Sequence, residues 1–238
     1  MTNKLDIIAF GAHPDDVEIS MGGTIISLVE RGFKVGIVDL TQGELGSRGN
    51  KKIRAAEAKK ASEVLGIQLR VNLKMPDGNL KVTKENIEKI VNVLRMYKPT
   101  IVFAPHFKDR HPDHEYAGQL VKEACFFAAL KNFGSNKKSI TPYRPKKIFY
   151  FMLSYPFEPT FIYDISDYFD KKMEAIKSYS SQFFNPKSNE NETFISRPEF
   201  LNFLRARSEF YGFLIGKYYG EPFYCEEKIE FDFSCYLK

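Results

Sequence analysis

A Rossmann-like three-layer α/β/α fold with a mostly parallel sheet is predicted for this 238-residue chain. Two observations predict it. Short apolar runs of strand length alternate with helical patterns four times, as parallel strands with crossover helices require. Several of those runs are continuously apolar, the pattern of strands buried on both faces.

The elements follow in order. Residues 5–10 form a first strand that stops at Gly11. Ile25, Ile26, Leu28 and Val29 suit a helix over 24–30, closed by Gly32. Gly22-Gly23-Thr24 before it reads as a tight turn with small residues for packing, because no full phosphate-loop spacing follows. Residues 34–40 form the second strand, and the polar stretch TQGELGSRGN is a loop. An alanine-rich helix over 53–65 stops at Gly66, and 68–73 is the third strand. MPDGN is a turn by its Pro-Asp-Gly chemistry. Thr83 caps a helix in which Ile87, Ile90, Val91 and Leu94 recur at amphipathic spacing, and Pro99 ends it. The fourth strand is 100–104, with a loop over 105–115 and a helix over about 115–130. After a basic linker at 133–146 come strands at 147–153 and 161–165, then helices near 166–180 and 199–216. Pro198 suits the first turn of the last helix. The aromatic tail after Gly220 reads as irregular. One domain over 1–238 is expected, with a helical and aromatic segment from about 166.

Composition narrows the class. The 43% apolar fraction can build a full core. The net charge of +5 is scattered, without the basic, aromatic-laced stripe of a nucleic-acid binder. No apolar run approaches the roughly 20 residues that cross a bilayer. The N-terminus lacks the features of a signal peptide. Cys125, Cys225 and Cys235 are odd in number and lack CxxC spacing, against a disulfide framework or a cysteine metal site. A cytoplasmic protein without nucleic-acid or membrane partners is expected.

The chemistry sits in two loops. His13 follows the first strand; His106, His111 and His114, the remaining histidines, follow the fourth. Both loops hold a His-Pro-Asp unit, in HPDD (13–16) and HPDH (111–114). Either motif alone can be a surface turn. Together, on loops that a parallel sheet brings to one edge, they point to a metal site. His13, Asp16 and His114 supply two imidazoles and a carboxylate, a ligand set for catalytic Zn2+ with one position open. Iron or cobalt can fill such a site when availability favours it. Asp15, aimed differently from Asp16, can serve as general base. His111, three residues before His114, can stabilise an oxyanion or protonate a leaving amine. His106 is as well explained by a structural role.

AHPDDVEISMGGT and HPDHEYAG resemble the two signature motifs of the PIG-L/LmbE-like zinc deacetylases. The resemblance implies a Rossmann-like fold, the metal and acid–base roles given above, and a homo-oligomer, with hexamers among the family's assemblies. It also implies a place for Arg54 near the reacting centre, where a permanently charged guanidinium suits an oxyanion or a carboxylate. DLTQGELGSRG, MPDGNL, SYSSQFFNP and ARSEFYG resemble the branch that deacetylates N-acetylglucosaminyl-malate in bacillithiol biosynthesis. Glu44, Ser47, Arg48 and Gly49 are then candidates to contact the sugar. Arg48 and Arg110 are candidates to grip a dicarboxylate, although each can be an ordinary surface arginine. The loop 185–197 should lie near the pocket mouth, with Phe194 its only aromatic residue.

Three functions compete. The first is hydrolysis of the N-acetyl group of N-acetylglucosaminyl-malate to glucosaminyl-malate and acetate. The second is a related amidase acting on a thiol conjugate or another N-acetylglucosaminide. The third is a non-catalytic Rossmann-like binding module, which would need a GxGxxG fingerprint where this chain has GAHPDD.

Overall fold

A computed structural model describes residues 4–134, 141–230 and 232–233. Cys235 and linker residues 135–140 lie outside the described residues. The apolar runs become β1 (Ile7–Gly11), β2 (Val35–Thr41), β3 (Leu69–Met75), β4 (Ile101–Pro105) and β5 (Lys147–Phe151). These five are parallel, in the order β3-β2-β1-β4-β5. Ile7 of β1 stands between Val35 and Ile101. Two further strands, β6 (Phe161–Asp164) and β7 (Gly220–Tyr224), complete the sheet in the order β5-β7-β6, with β7 antiparallel to both neighbours.

Alternation along β1 feeds two cores, because successive side chains leave opposite faces. Ile7 and Ala9 pack with residues of α1 (Asp16–Glu30), α2 (Lys51–Leu65), α5 (Phe169–Lys177) and α6 (Pro198–Leu214). Ile8 and Phe10 pack with α3 (Lys84–Tyr97) and α4 (Pro112–Phe127). The helices start where capping chemistry predicts. Asn50 caps α2, Thr83 caps α3, and Pro198 lies in the first turn of α6. Among the described residues, no helix is long and apolar enough to cross a membrane.

From β1 the chain builds outward through β2 to β3. It then returns to β4, on the other side of β1, and continues to β5. The loops leaving the carboxyl ends of β1 and β4 therefore diverge from adjacent strands, which opens a crevice at the sheet edge. Both histidine motifs lie at that switch point.

Several boundaries differ from the expectation. α1 begins at Asp16, eight residues early, and absorbs Gly22-Gly23-Thr24. Met21 is non-helical (φ −141°, ψ 22°) and interrupts the ladder there. The Gly23 and Thr24 amides donate instead to the buried carboxylate of Glu221, at 3.1 and 2.7 Å. Those small residues do meet an anion, but it is internal. α4 begins at Pro112, so His114 stands in the first helical turn and not in a loop. The 166–180 helix is a 3-10 turn at Ser166–Tyr168 followed by α5. The tail after Gly220 is ordered as β7, contrary to the irregular reading.

Glu221 is the charged centre of this half of the fold. Its second partner is Lys172 Nζ at 2.7 Å, and both side chains are 1% exposed. Removing one member of such a pair leaves the other charge buried alone. Glu221→Ala is therefore expected to lower unfolding free energy by about 3–5 kcal/mol in urea titration. A loss below about 1 kcal/mol, the scale of exposed pairs, would contradict this reading.

Candidate metal and active site

The loop after β1 is wound tightly. Asp16 accepts the backbone N–H of His13 at 2.9 Å, which closes the turn. Asp15 between them is forced to φ 116°, in the left-handed region. A non-glycine residue held there carries backbone strain of about 1–3 kcal/mol, a cost that clusters at functional sites. On the other side of the crevice His111 caps α4, its Nδ1 accepting the Asp113 amide at 3.2 Å. Pro112 follows at the first helical position, where its missing N–H costs nothing.

These two turns bring three imidazoles together. Ring centroids are 4.9 Å apart for His13 and His111, 5.4 Å for His13 and His114, and 4.8 Å for His111 and His114. One ligand atom from each of His13, Asp16 and His114 lies within 4.8 Å of the others. His13 Nδ1 is 3.6 Å and His114 Nε2 3.3 Å from the Asp16 carboxylate. The opposite ring nitrogens are both held by aspartates. His13 Nε2 meets Asp77 at 3.0 Å and His114 Nδ1 meets Asp109 at 2.8 Å. Carboxylates in that position fix the ring and make the free nitrogen a better donor to a metal. His13, His111 and Asp113 form a second convergent group. Two of its members have other duties: Asp113 accepts the Gly78 and Leu80 amides, and His111 Nδ1 caps the helix.

The charge balance supports a cation. Asp15, Asp16, Asp77, Asp109 and Asp113 are all buried, and Arg54 is the arginine paired within this group. Burial would lower the pKa of His13, but Asp113, Asp16 and Asp77 hold it well above the usual imidazole range. His114 likewise rises to about 9 against burial, chiefly through Asp16 and Asp109. Asp16 falls well below the usual carboxylate range because His114 and His13 outweigh its burial. A metal ion would take the place of those imidazole protons. The donor set thus fits a divalent cation with nitrogen and oxygen preference.

Asp15 and Arg54 form the second half of the site. Arg54 Nη2 donates to Asp15 Oδ2 at 3.0 Å and to the Pro14 carbonyl at 2.6 Å. Its Nη1 reaches the Gly43 carbonyl at 3.3 Å. Gly43 is required here: a Cβ would stand 2.2 Å from Nη1, at a φ of 64°. Burial raises the Asp15 pKa to about 7 despite the nearby guanidinium. His111 is lowered by burial and by the neighbouring His13 and His114. With Nδ1 accepting, its neutral form carries the proton on Nε2.

These groups line a cavity of about 610 Å³. Arg110 and Ser47 are exposed on its wall, and the 185–197 loop contributes Thr193, Phe194 and Ile195. Arg110 lies over the Phe194 ring at 4.8 Å and is exposed. The expected substrate contacts on the loop after β2 are placed differently from one another. Arg48 lines the cavity but is buried, with its guanidinium engaged by Ser181, Ser188 and Asn191. Glu44 does not line the cavity, and its oxygens accept the Gln42 and Asp77 amides. Gly49 is likewise engaged, donating its N–H to Glu190. His106 stacks on Phe107, lies tilted against Phe157 and takes no part in the cluster.

Asp77 and Asp109 escaped the reading of the sequence. Asp77 is the aspartate of Pro-Asp-Gly, which turn chemistry alone explains. Asp109 lies between lysine and arginine and resembles a surface charge. The available signal was proximity: both stand on loops leaving strands of the same sheet. Asp109→Asn and Asp77→Asn are each expected to weaken divalent-cation affinity about 10–100-fold, measured by competition with a chromophoric chelator. Unchanged affinity in both would show that the carboxylates do not orient the imidazoles.

Residues 8–125 match the family model described as PIG-L, GlcNAc-PI de-N-acetylase. The chain is 34% identical to a diacetylchitobiose deacetylase of Thermococcus kodakarensis, over 74% of this chain and 70% of that protein. It is 27% identical to a probable N-acetyl-alpha-D-glucosaminyl L-malate deacetylase 2 of Bacillus anthracis, over 77% and 84% respectively. Its fold superposes on the conserved protein TT1542 of Thermus thermophilus with a TM-score of 0.87 and 34% identity, covering 96% of this chain and 97% of that one. The switch-point crevice, the paired histidine turns and these similarities agree, and the chain belongs to the PIG-L family of de-N-acetylases.

Proposed function

We propose that this protein is a zinc-dependent deacetylase that hydrolyses the N-acetyl group of a small N-acetylglucosamine glycoside. The observation that carries the proposal is the convergence of His13, Asp16 and His114 beside the Asp15–Arg54 pair, all lining one cavity. A zinc ion on that group would polarise the amide carbonyl and make water a nucleophile near neutral pH.

The chain's own residues supply the remaining steps. Asp15 takes the proton of the attacking water on a carboxylate oxygen, and Arg54 fixes that carboxylate in the required direction. The His111 Nε2–H can donate a hydrogen bond to the developing oxyanion, and the proton taken up by Asp15 can pass to the leaving amine. The products are acetate and a glucosamine glycoside.

For the aglycone we propose malate, supported by the exposed Arg110 guanidinium at the mouth. Arg48 cannot share that grip while it holds the 181–191 segment, so one arginine remains where two were expected. A second reading, N,N′-diacetylchitobiose, is favoured by the exposed rim of Leu45, Tyr155, Phe194 and Phe203, which offers faces for a second sugar ring. The identity to the Thermococcus protein favours the same reading. We also propose a cytoplasmic homo-oligomer, to which the exposed Phe210 and Phe213 on α6 lend support.

The test is acetate release from N-acetylglucosaminyl-malate, N,N′-diacetylchitobiose and an N-acetylglucosamine thiol conjugate, with metal-free and zinc-reconstituted protein. Zinc should restore activity lost on chelation. Asp15→Asn should keep the metal and lose about 10²–10⁴-fold in kcat, the usual range for a general base. Full activity in metal-free protein, or in Asp15→Asn, would overturn the proposal.

A further inference from the structure

The segment 184–195 is built differently from the rest of the chain. Buried Phe183 and Ser196 anchor its two ends, while most residues between them are exposed. Thr193, Phe194 and Ile195 nevertheless form part of the cavity wall. The segment is thus a strap fixed at its ends, and its last three residues wall the cavity.

Its middle is held chiefly by the loop between β2 and α2. Arg48 Nη2 donates to Ser188 Oγ at 2.9 Å, and Nη1 donates to the Asn191 carbonyl at 3.4 Å. Nε donates to the Ser181 carbonyl at 2.8 Å, just before the strap, and lies 3.7 Å from Glu190. Glu190 also accepts the Gly49 amide at 2.8 Å. On the opposite rim the contact is Arg110 over Phe194, with an exposed arginine. Arg48 is 5% exposed, so its hydrogen bonds are shielded from competing water, whereas Ser188 is half-buried and Glu190 and Asn191 are exposed. A planar guanidinium can hold several acceptors at fixed angles at once, which a lysine ammonium on a flexible stem cannot reproduce.

The same loop reaches the chemistry. Gly43 and Gly46 pack on the Arg54 guanidinium that holds Asp15. One loop therefore touches the strap at one end and the Asp15–Arg54 pair at the other.

We propose that Arg48 is a positioning residue that latches the 184–195 strap over the cavity, so that substrate entry and product exit require release of this latch. The kinetic consequence rests on the deacetylase reading given above; the latch itself does not. Lys187 offers a direct probe, because it is exposed in the middle of the strap and is a trypsin site. Tryptic cleavage after Lys187, followed by mass spectrometry, would be compared in the wild type, in Arg48→Lys and in the double variant Ser188→Ala/Glu190→Gln. The double variant alters one half-buried and one exposed side chain outside the core, so it reports on the latch even if Arg48→Lys folds poorly.

Loss of even one charge-assisted bond of this kind should speed cleavage about tenfold in Arg48→Lys, with a smaller acceleration in the double variant. For whichever glycoside the wild type turns over, KM should rise several-fold in both variants. Cation affinity should stay at the wild-type value and kcat should not fall. Unchanged Lys187 cleavage in both variants would overturn the latch. A fall in kcat at constant KM would instead place Arg48 in the chemistry and also overturn it. If the wild type deacetylates none of the glycosides, the functional reading fails, and the cleavage comparison still decides the latch.

Discussion

Adjacency of β1 and β4 is the constraint on which the site depends. Ile7 pairs in register with Ile101 although the two lie 94 residues apart in sequence. The chain reaches that pairing only after building β2 and β3 on the far side of β1. A parallel sheet that reverses its build direction leaves a crevice where adjacent strands send their loops apart. HPDD leaves one of those strands and HPDH leaves the other. No residue in either turn can form the cluster alone, so the metal-binding geometry is a property of the topology before it is a property of the side chains.

Around that crevice, order is supplied by buried aspartates and arginines that do not touch substrate in the mechanism proposed. Asp77 and Asp109 hold two imidazoles by their outer nitrogens. Arg54 holds Asp15, and Gly43 leaves room for Arg54 to do so. Behind them, Arg70 bridges Asp39 and Glu18, and Lys172 pairs with the Glu221 carboxylate that accepts the amides at the kink in α1. Such groups are costly to bury and persist because their partners are in place. The arrangement gives the reacting groups fixed directions, which positional catalysis requires.

Most of the fold was legible from residue order. The apolar runs of the first five strands lie within two residues of their observed bounds, and β1, β2 and β4, buried along nearly their whole length, leave an almost unbroken hydrophobic signature. The errors have physical causes. β7 contains Pro222 and the buried Glu221, both foreign to a strand pattern, and its pairing with β6 is visible only in three dimensions. The first two turns of α1 were missed because Gly22 and Gly23 are poor helix formers, and their cost is offset by a carboxylate nearly 200 residues away. In the site, the His-Pro-Asp pair was legible because two rare units recur after two strands. Arg48 was not, since an arginine in a loop says nothing about which carbonyls will surround it. Asp77 and Asp109 were hidden by turn and surface chemistry that explained them without a site.

The central claim is that His13, Asp16 and His114 share one cation. Anomalous diffraction from crystals grown with zinc, recorded on both sides of its absorption edge, tests it most directly. The account predicts one strong zinc peak at about 2.0–2.2 Å from a nitrogen of each histidine and an oxygen of Asp16. A peak held instead by His111 and Asp113, or no peak in the crevice, would contradict it.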